Sequence, residues 1–186
     1  MKRLPPFLDS WVGYYDNVIN KEDCDSLIAY PWDWTPSKYE NNSGVSSNSE
    51  DRVKMDECWC VSKNTSYKLL KESTIKVMKQ YAKDHEHFSC IHHTDFRLNR
   101  YRKGGFMSKH CDNIHHSHGQ QYGYPQATVL LFLNNDYEGG DFYISNINYR
   151  KPKVCSGLIF PSNFMFPHEV KEVTRGERWS IVTWLM

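Results

Sequence analysis

The 186 residues predict an α+β chain, mainly β, with helices first and a β-sandwich or open barrel after them. Two observations carry that expectation. Between Asn64 and Phe88, Leu70, Thr74, Val77, Met78 and Tyr81 recur at three- and four-residue spacing, as on an amphipathic helix. From Thr94 onward, short β-rich stretches alternate with turn signals. No period of roughly 20–50 residues repeats, so the chain is not a repeat array.

The elements follow in order. Asn20 before Lys21-Glu22-Asp23 reads as an N-cap with acidic residues in the first turn, opening a short helix that carries Leu27 and Ile28 and stops before Pro31. From Thr35 to Asp56 the chain turns to Ser, Asn, Gly and charge, which predicts a long mobile loop within the domain. The second helix turns Lys71, Lys76 and Lys79 outward and should lie along one face of a sheet. Strands are expected over Asp95–Tyr101, Ala127–Leu133, Asp141–Ile144, Val154–Phe160 and Arg178–Leu185, with the stretch from Asn113 to Gln126 as a loop between strands.

Composition narrows the function. The 23 Lys+Arg against 22 Asp+Glu leave a net charge of +1, which disfavours a nucleic-acid partner. Hydrophobic residues at 39% and aromatics at 15% suffice for one core, hence a single domain over 1–186. The longest aliphatic and aromatic run, Val129 to Leu133, is too short for a signal core or a membrane span, so a soluble chain that stays where it is made is expected. Six cysteines, Cys24, Cys58, Cys60, Cys90, Cys111 and Cys155, form no CxxC pair and are expected as reduced thiols.

Chemistry-bearing residues lie in the second half. His110-Cys111-Asp112 puts an imidazole and a carboxylate at i and i+2, which an extended chain turns to one face, able to grip a metal together. His168 stands in Phe166-Pro167-His168-Glu169-Val170, where extension turns Phe166, His168 and Val170 to one side. Two His and one carboxylate form a facial triad that leaves three positions open on a non-haem Fe(II). Arg178, Ser180, Val182 and Trp184 share one face of the last strand, and an inward guanidinium there suits a planar carboxylate; Arg175, in the preceding turn, is the weaker candidate.

His115, His116 and His118 could form a zinc cluster, but their uneven spacing in a polar loop favours solvent-exposed rings. Gln120, Gln121, Tyr122 and Tyr124 leave the HxD segment and so are candidates to touch a substrate, as is Trp184. Trp32, Trp34 and Trp59 read as core packing, and Cys111 as a small core side chain. Gly104-Gly105 and Gly139-Gly140 read as turns. Arg97, Arg100, Arg102 and Lys103 could line one rim of the site.

The run from Tyr101 through Gly104-Gly105 and Phe106 to His110-Cys111-Asp112, then Ala127–Asn134, Glu138–Asp141, Pro152–Gly157, Phe160-Pro161-Ser162 and His168 through Arg178 to Trp184, resembles the 2-oxoglutarate- and Fe(II)-dependent dioxygenases, in their prolyl 4-hydroxylase-like branch and its compact bacterial and phage type. The resemblance covers about residues 94–186. It implies a double-stranded β-helix, or jelly roll, over that range with amino-terminal helices buttressing one sheet. It implies Fe(II) on His110, Asp112 and His168, 2-oxoglutarate held by Tyr101 and Arg178 with Ser180 nearby, O2 as the second cosubstrate, and ascorbate as an accessory reductant. Collagen-type members carry Lys where Arg178 stands, and this chain lacks their substrate-recognition domains.

The function so implied is hydroxylation of a C–H bond, foremost in a prolyl residue of a protein or peptide, with release of succinate and CO2, in the cytoplasm of a bacterium or phage-infected cell. Hydroxylation of a free amino acid or small molecule is the first alternative. A non-enzymatic, metal-binding jelly-roll module is the second.

Overall fold

The central strands of the second half, Ala127–Phe132 and Arg178–Leu185, are buried on both faces, as in a sheet covered on both sides. In Ala127–Phe132, Val129 and Leu131 enter one core while Leu130 and Phe132 enter another; in Arg178–Leu185, Trp179, Ile181 and Leu185 oppose Val182 and Trp184 in the same way. One core lies between a large sheet and the helices, the other between the two sheets. The computed structural model describes residues 6–40, 46–47, 51–114, 123–145, 147–149 and 152–186.

Among the described residues the large sheet has seven strands, ordered in space Gly13–Tyr15, Gly157–Pro161, Ala127–Phe132, Arg178–Leu185, Phe96–Tyr101, Asp56–Cys60 and Thr35–Pro36. The facing sheet has five: Ile147–Tyr149, Phe142–Ile144, His168–Val170, Phe106–His110 and Val53–Lys54. Every pairing is antiparallel, and from Phe96–Tyr101 onward the chain passes back and forth between the two sheets, the jelly-roll pattern, with the hairpin of Phe142–Ile144 and Ile147–Tyr149 kept within the facing one.

The first of the two expected helices is Lys21–Ala29, capped by Asn20, whose side chain accepts the Asp23 N–H at 2.7 Å. The second is Tyr67–Asp84, which packs Leu70, Thr74, Val77 and Tyr81 toward the large sheet, and the Tyr81 hydroxyl donates to the Trp11 carbonyl at 2.9 Å. A further short helix, Pro6–Asp9, precedes them. No helix among the described residues is long and apolar enough to cross a membrane.

The loop expected from Thr35 to Asp56 needs correction. Thr35–Pro36 pairs with Asp56–Glu57, and Val53–Lys54 pairs with Phe106–Met107. Val53 and Met55, two residues apart, are buried between the sheets. The polar average of the segment hid that alternation. Residues 41–45 and 48–50 lie outside the described residues.

Gly157 sets how closely the long helix approaches. A Cβ there would stand 2.5 Å from Val77 Cγ2 and 3.1 Å from Val18 Cγ2, and β-branched Val cannot rotate aside freely. Gly157→Ala is expected to lower stability by about 1–3 kcal/mol through overpacking. Urea denaturation checks it; an unchanged midpoint would show that the helix yields without cost.

Candidate metal centre

His110 ends its strand and His168 opens its own, and the two stand directly opposite in register, with ring centroids 4.3 Å apart. Non-local pairing thus joins residues far apart along the chain. The register shifts between His168 and Val170, a bulge that re-aims the side chains beside it.

Asp112 arrives by a different route from the one expected. The strand stops at His110, and Asp112 opens a 3-10 turn, Asp112–Ile114, because the N–H groups of Asp112 and Asn113 both donate to the Ser162 carbonyl, each at 3.2 Å. The turn, not strand alternation, carries the carboxylate toward the imidazoles. Cys111 is only partly buried and lies outside both cores, so it is not the core side chain expected.

One ligand atom from each of His110, Asp112 and His168 lies within 4.8 Å of the others. His110 Nε2 is 3.4 Å from Asp112 Oδ1, and His168 Nε2 is 3.5 Å from Asp112 Oδ2. Each Nδ1 meets a backbone carbonyl two residues back, Ser108 at 2.9 Å and Phe166 at 3.2 Å. A carbonyl can only accept, so Nδ1 carries the hydrogen and the Nε2 of the neutral ring presents a lone pair. Two such lone pairs and a carboxylate aimed at one region repel one another unless a cation or proton lies between them. The N,N,O donor set fits a divalent transition metal, and among the described residues the group has three members, which leaves further coordination positions open.

The surroundings fix the electrostatics. Burial lowers the His110 pKa, and His168 beside it lowers it further. Burial alone would raise the Asp112 carboxyl, but the two imidazoles outweigh it and hold it well below the usual carboxylate range. Burial opposes the charged form of His168, yet Asp112 prevails and raises its pKa. Thr128 Oγ1 donates to Asp112 Oδ2 at 2.6 Å and lies 2.9 Å from Ser162 Oγ, so one carboxylate oxygen is tied to the large sheet.

The same pocket reaches Arg178. Arg178 is 1% exposed, stands opposite Tyr101 in register, and donates from Nη1 to Ser180 Oγ at 2.9 Å. Its guanidinium lies 5.2 Å from the Tyr101 ring and 5.6 Å from the Phe132 ring, and it hydrogen-bonds the Tyr137 hydroxyl. Those neighbours are all neutral, and its buried Nε has no partner. A buried cation without a counter-charge is costly, so the orphaned donor marks a place for an anion.

Tyr101 and Ser180 line this pocket with Arg178. Neither Trp184, which is buried with its ring 5.0 Å from the guanidinium of the pocket's Arg97, nor Tyr124, which is 46% exposed, lines it. Tyr122, with His115, His116, His118, Gln120 and Gln121, lies outside the described residues. Trp32 is buried and Trp34 packs edge-on against Trp179, but Trp59 is 42% exposed and is not core packing. The four cations do not share a rim: Arg97 faces the pocket, Arg100 lies on the opposite face over Trp34 at 4.3 Å, and Arg102 and Lys103 are exposed.

Sequence reasoning missed Asn99, Thr128 and Tyr137, and misplaced Arg100. Counting back by twos from Tyr101 would have put Asn99 and Arg97 on its face. Tyr137, in a turn, offered no such signal.

Residues 96–186 match the family model of the 2OG-Fe(II) oxygenase superfamily. Prolyl 3-hydroxylase 2 of Rattus norvegicus is 35% identical over 69 residues, 34% of this chain and 10% of the relative. Prolyl 3-hydroxylase 1 of Homo sapiens is 33% identical over 69 residues, 34% of this chain and 9% of the relative. The chain thus spans about a tenth of the length of these curated relatives. A prolyl hydroxylase of Trichoplax adhaerens, solved with a hypoxia inducible factor peptide fragment, superposes with a TM-score of 0.71 at 18% identity, covering 95% of this chain and 84% of that one. A Pseudomonas putida prolyl-4-hydroxylase gives 0.67 at 14% identity, with 94% and 91% covered. The collagen prolyl hydroxylase of Paramecium Bursaria Chlorella virus-1, solved with 2OG, gives 0.68 at 15%, with 94% and 95% covered. These likenesses extend the shared fold beyond residues 96–186 to nearly the whole chain.

Proposed function

We propose that this chain, whose residues 96–186 match the family model of the 2OG-Fe(II) oxygenase superfamily, hydroxylates a C–H bond of a prolyl residue in a protein or peptide, holding Fe(II) on His110, Asp112 and His168 and 2-oxoglutarate on Arg178. The observation that carries this reading is a pocket lined both by His110 and His168, whose ligand atoms converge with that of Asp112, and by a buried guanidinium whose Nε lacks a partner. An iron site asks for the first and a dicarboxylate for the second.

Bound ferrous iron would supply the redox chemistry that couples decarboxylation of 2-oxoglutarate to hydroxylation. The protein's part is positioning. Backbone carbonyls hold both imidazoles with Nε2 inward, and Thr128 restrains one Asp112 oxygen. Arg178, steadied by Ser180 and Tyr137, receives the distal carboxylate. Leu130, Phe142, Val170 and Val182 line the pocket with apolar surface, which keeps water from competing for these contacts.

Prolyl substrates are favoured because the sequence relatives and solved structures named above are prolyl hydroxylases. The test is succinate formation with Fe(II), 2-oxoglutarate, ascorbate and proline-containing peptides, alongside free L-proline. Peptide-stimulated succinate and a gain of one oxygen in the peptide are expected, and His110→Ala should abolish both. Fragment spectra then place the oxygen on C3 or C4 of the ring. Full turnover by His110→Ala, or succinate formation indifferent to peptide, would reject the reading.

A further inference from the structure

The Asp56–Cys60 strand has two faces. Cys58 and Cys60 enter the core under the helices, so Glu57 and Trp59 point the other way, in register with Asn99 and Arg97, which line the pocket. Trp59 is nevertheless 42% exposed. Its ring lies 6.2 Å from that of Trp184, and the Arg97 guanidinium sits 5.0 Å from the Trp184 ring. An indole, a second indole and a guanidinium therefore run from solvent to the pocket wall.

Charge decides what such a shelf can hold. Arg97 Nη1 is 3.7 Å from Glu57 Oε2, and its Nε donates to Asn99 Oδ1 at 3.0 Å, with the paired side chains only 16% and 20% exposed. The pair is mutually neutralised. A free amino acid would bring a carboxylate and an ammonium, each needing its own counter-charge once stripped of water. Arg178, the other guanidinium of the pocket, is already assigned to the cosubstrate. An internal peptide residue brings neither charge, and a proline ring in an extended chain offers a flat, preorganised apolar face to an indole.

We propose that Trp59 is a specificity-determining residue: it receives the peptide beside the pocket and selects an extended, proline-bearing chain over a free amino acid. This rests on the prolyl hydroxylase reading above. The contact touches the flank of the acceptor and not the reacting atoms, so it belongs to binding and not to the chemical step.

The test uses a proline–alanine repeat peptide and free L-proline. Trp59→Ala should raise the KM for the peptide about tenfold, the loss of one well-packed aromatic anchor, with kcat altered less than about threefold; Trp59→Phe should recover most of the affinity. Peptide should also quench wild-type tryptophan emission, and that quench should shrink in Trp59→Phe. An unchanged peptide KM in Trp59→Ala overturns the inference, as does a wild-type chain that accepts free L-proline and ignores the peptide. Thermal stabilisation by metal and 2-oxoglutarate separates the two levels: if wild type shows it while Trp59→Ala keeps its peptide KM, this inference alone fails, and if wild type lacks it, the pocket reading fails too.

Discussion

His168→Ala is expected to weaken ferrous iron binding by more than about a hundredfold and to take turnover below detection. Outer-shell partners of metal ligands are alone worth roughly 10–100-fold in affinity, and His168 is proposed as a ligand itself. Its loss also leaves the buried Asp112 carboxylate with one imidazole instead of two. Two measurements check this independently of catalysis. Calorimetric titration with Fe(II) or Co(II) under anaerobic conditions reads the affinity directly. Thermal denaturation reads linkage: metal at about a hundred times its Kd stabilises the wild type by roughly 2.7 kcal/mol, and that increment should vanish in the variant. If His168→Ala kept wild-type affinity and the full shift, the metal would sit elsewhere and the proposed centre would be wrong.

His168 also shows where the sequence was legible. Its apolar, alternating context marks a buried, inward imidazole, and the structure places it against Phe160 and Phe142. The face shared by Arg178, Ser180 and Val182 follows from parity along one strand, and the capped helix at Asn20 from a local hydrogen bond. What the sequence hid was set by distant partners. Asp112 leaves the strand because Ser162, fifty residues later, takes its N–H. Val53 and Met55 become core because Val53–Lys54 pairs with Phe106–Met107 at the edge of the facing sheet, against the polar average of their neighbours. Trp59 stays exposed although most tryptophans are largely buried, because it occupies the pocket side of a strand near the edge of the large sheet. Local pattern gives which face a side chain takes, and only the assembled sheets decide what that face meets.

Arg178→Met should separate cosubstrate binding from folding with opposite signs. The guanidinium is buried among Ser180, Tyr137, Tyr101 and Phe132, with Nε unpartnered, so the cosubstrate-free chain bears the cost of a desolvated cation. Methionine is flexible enough to fill much of that volume without the charge. The Ser180 and Tyr137 hydroxyls each lose a partner, a cost of about 1–3 kcal/mol apiece that partly offsets the gain. The variant's Tm without 2-oxoglutarate is therefore expected to equal or exceed that of wild type. Affinity for 2-oxoglutarate should meanwhile fall by about 2–5 kcal/mol, the cost of removing one member of a buried, hydrogen-bonded charge pair, or from about thirtyfold to several thousandfold. Arg178→Lys keeps the charge but not the planar fork, so it should bind the cosubstrate with intermediate affinity. Calorimetric titration of 2-oxoglutarate into the metal-loaded chain, paired with melting curves in its absence, gives both numbers. A variant that melts well below wild type yet binds 2-oxoglutarate normally would mean that Arg178 serves the fold and that the dicarboxylate is anchored by another group.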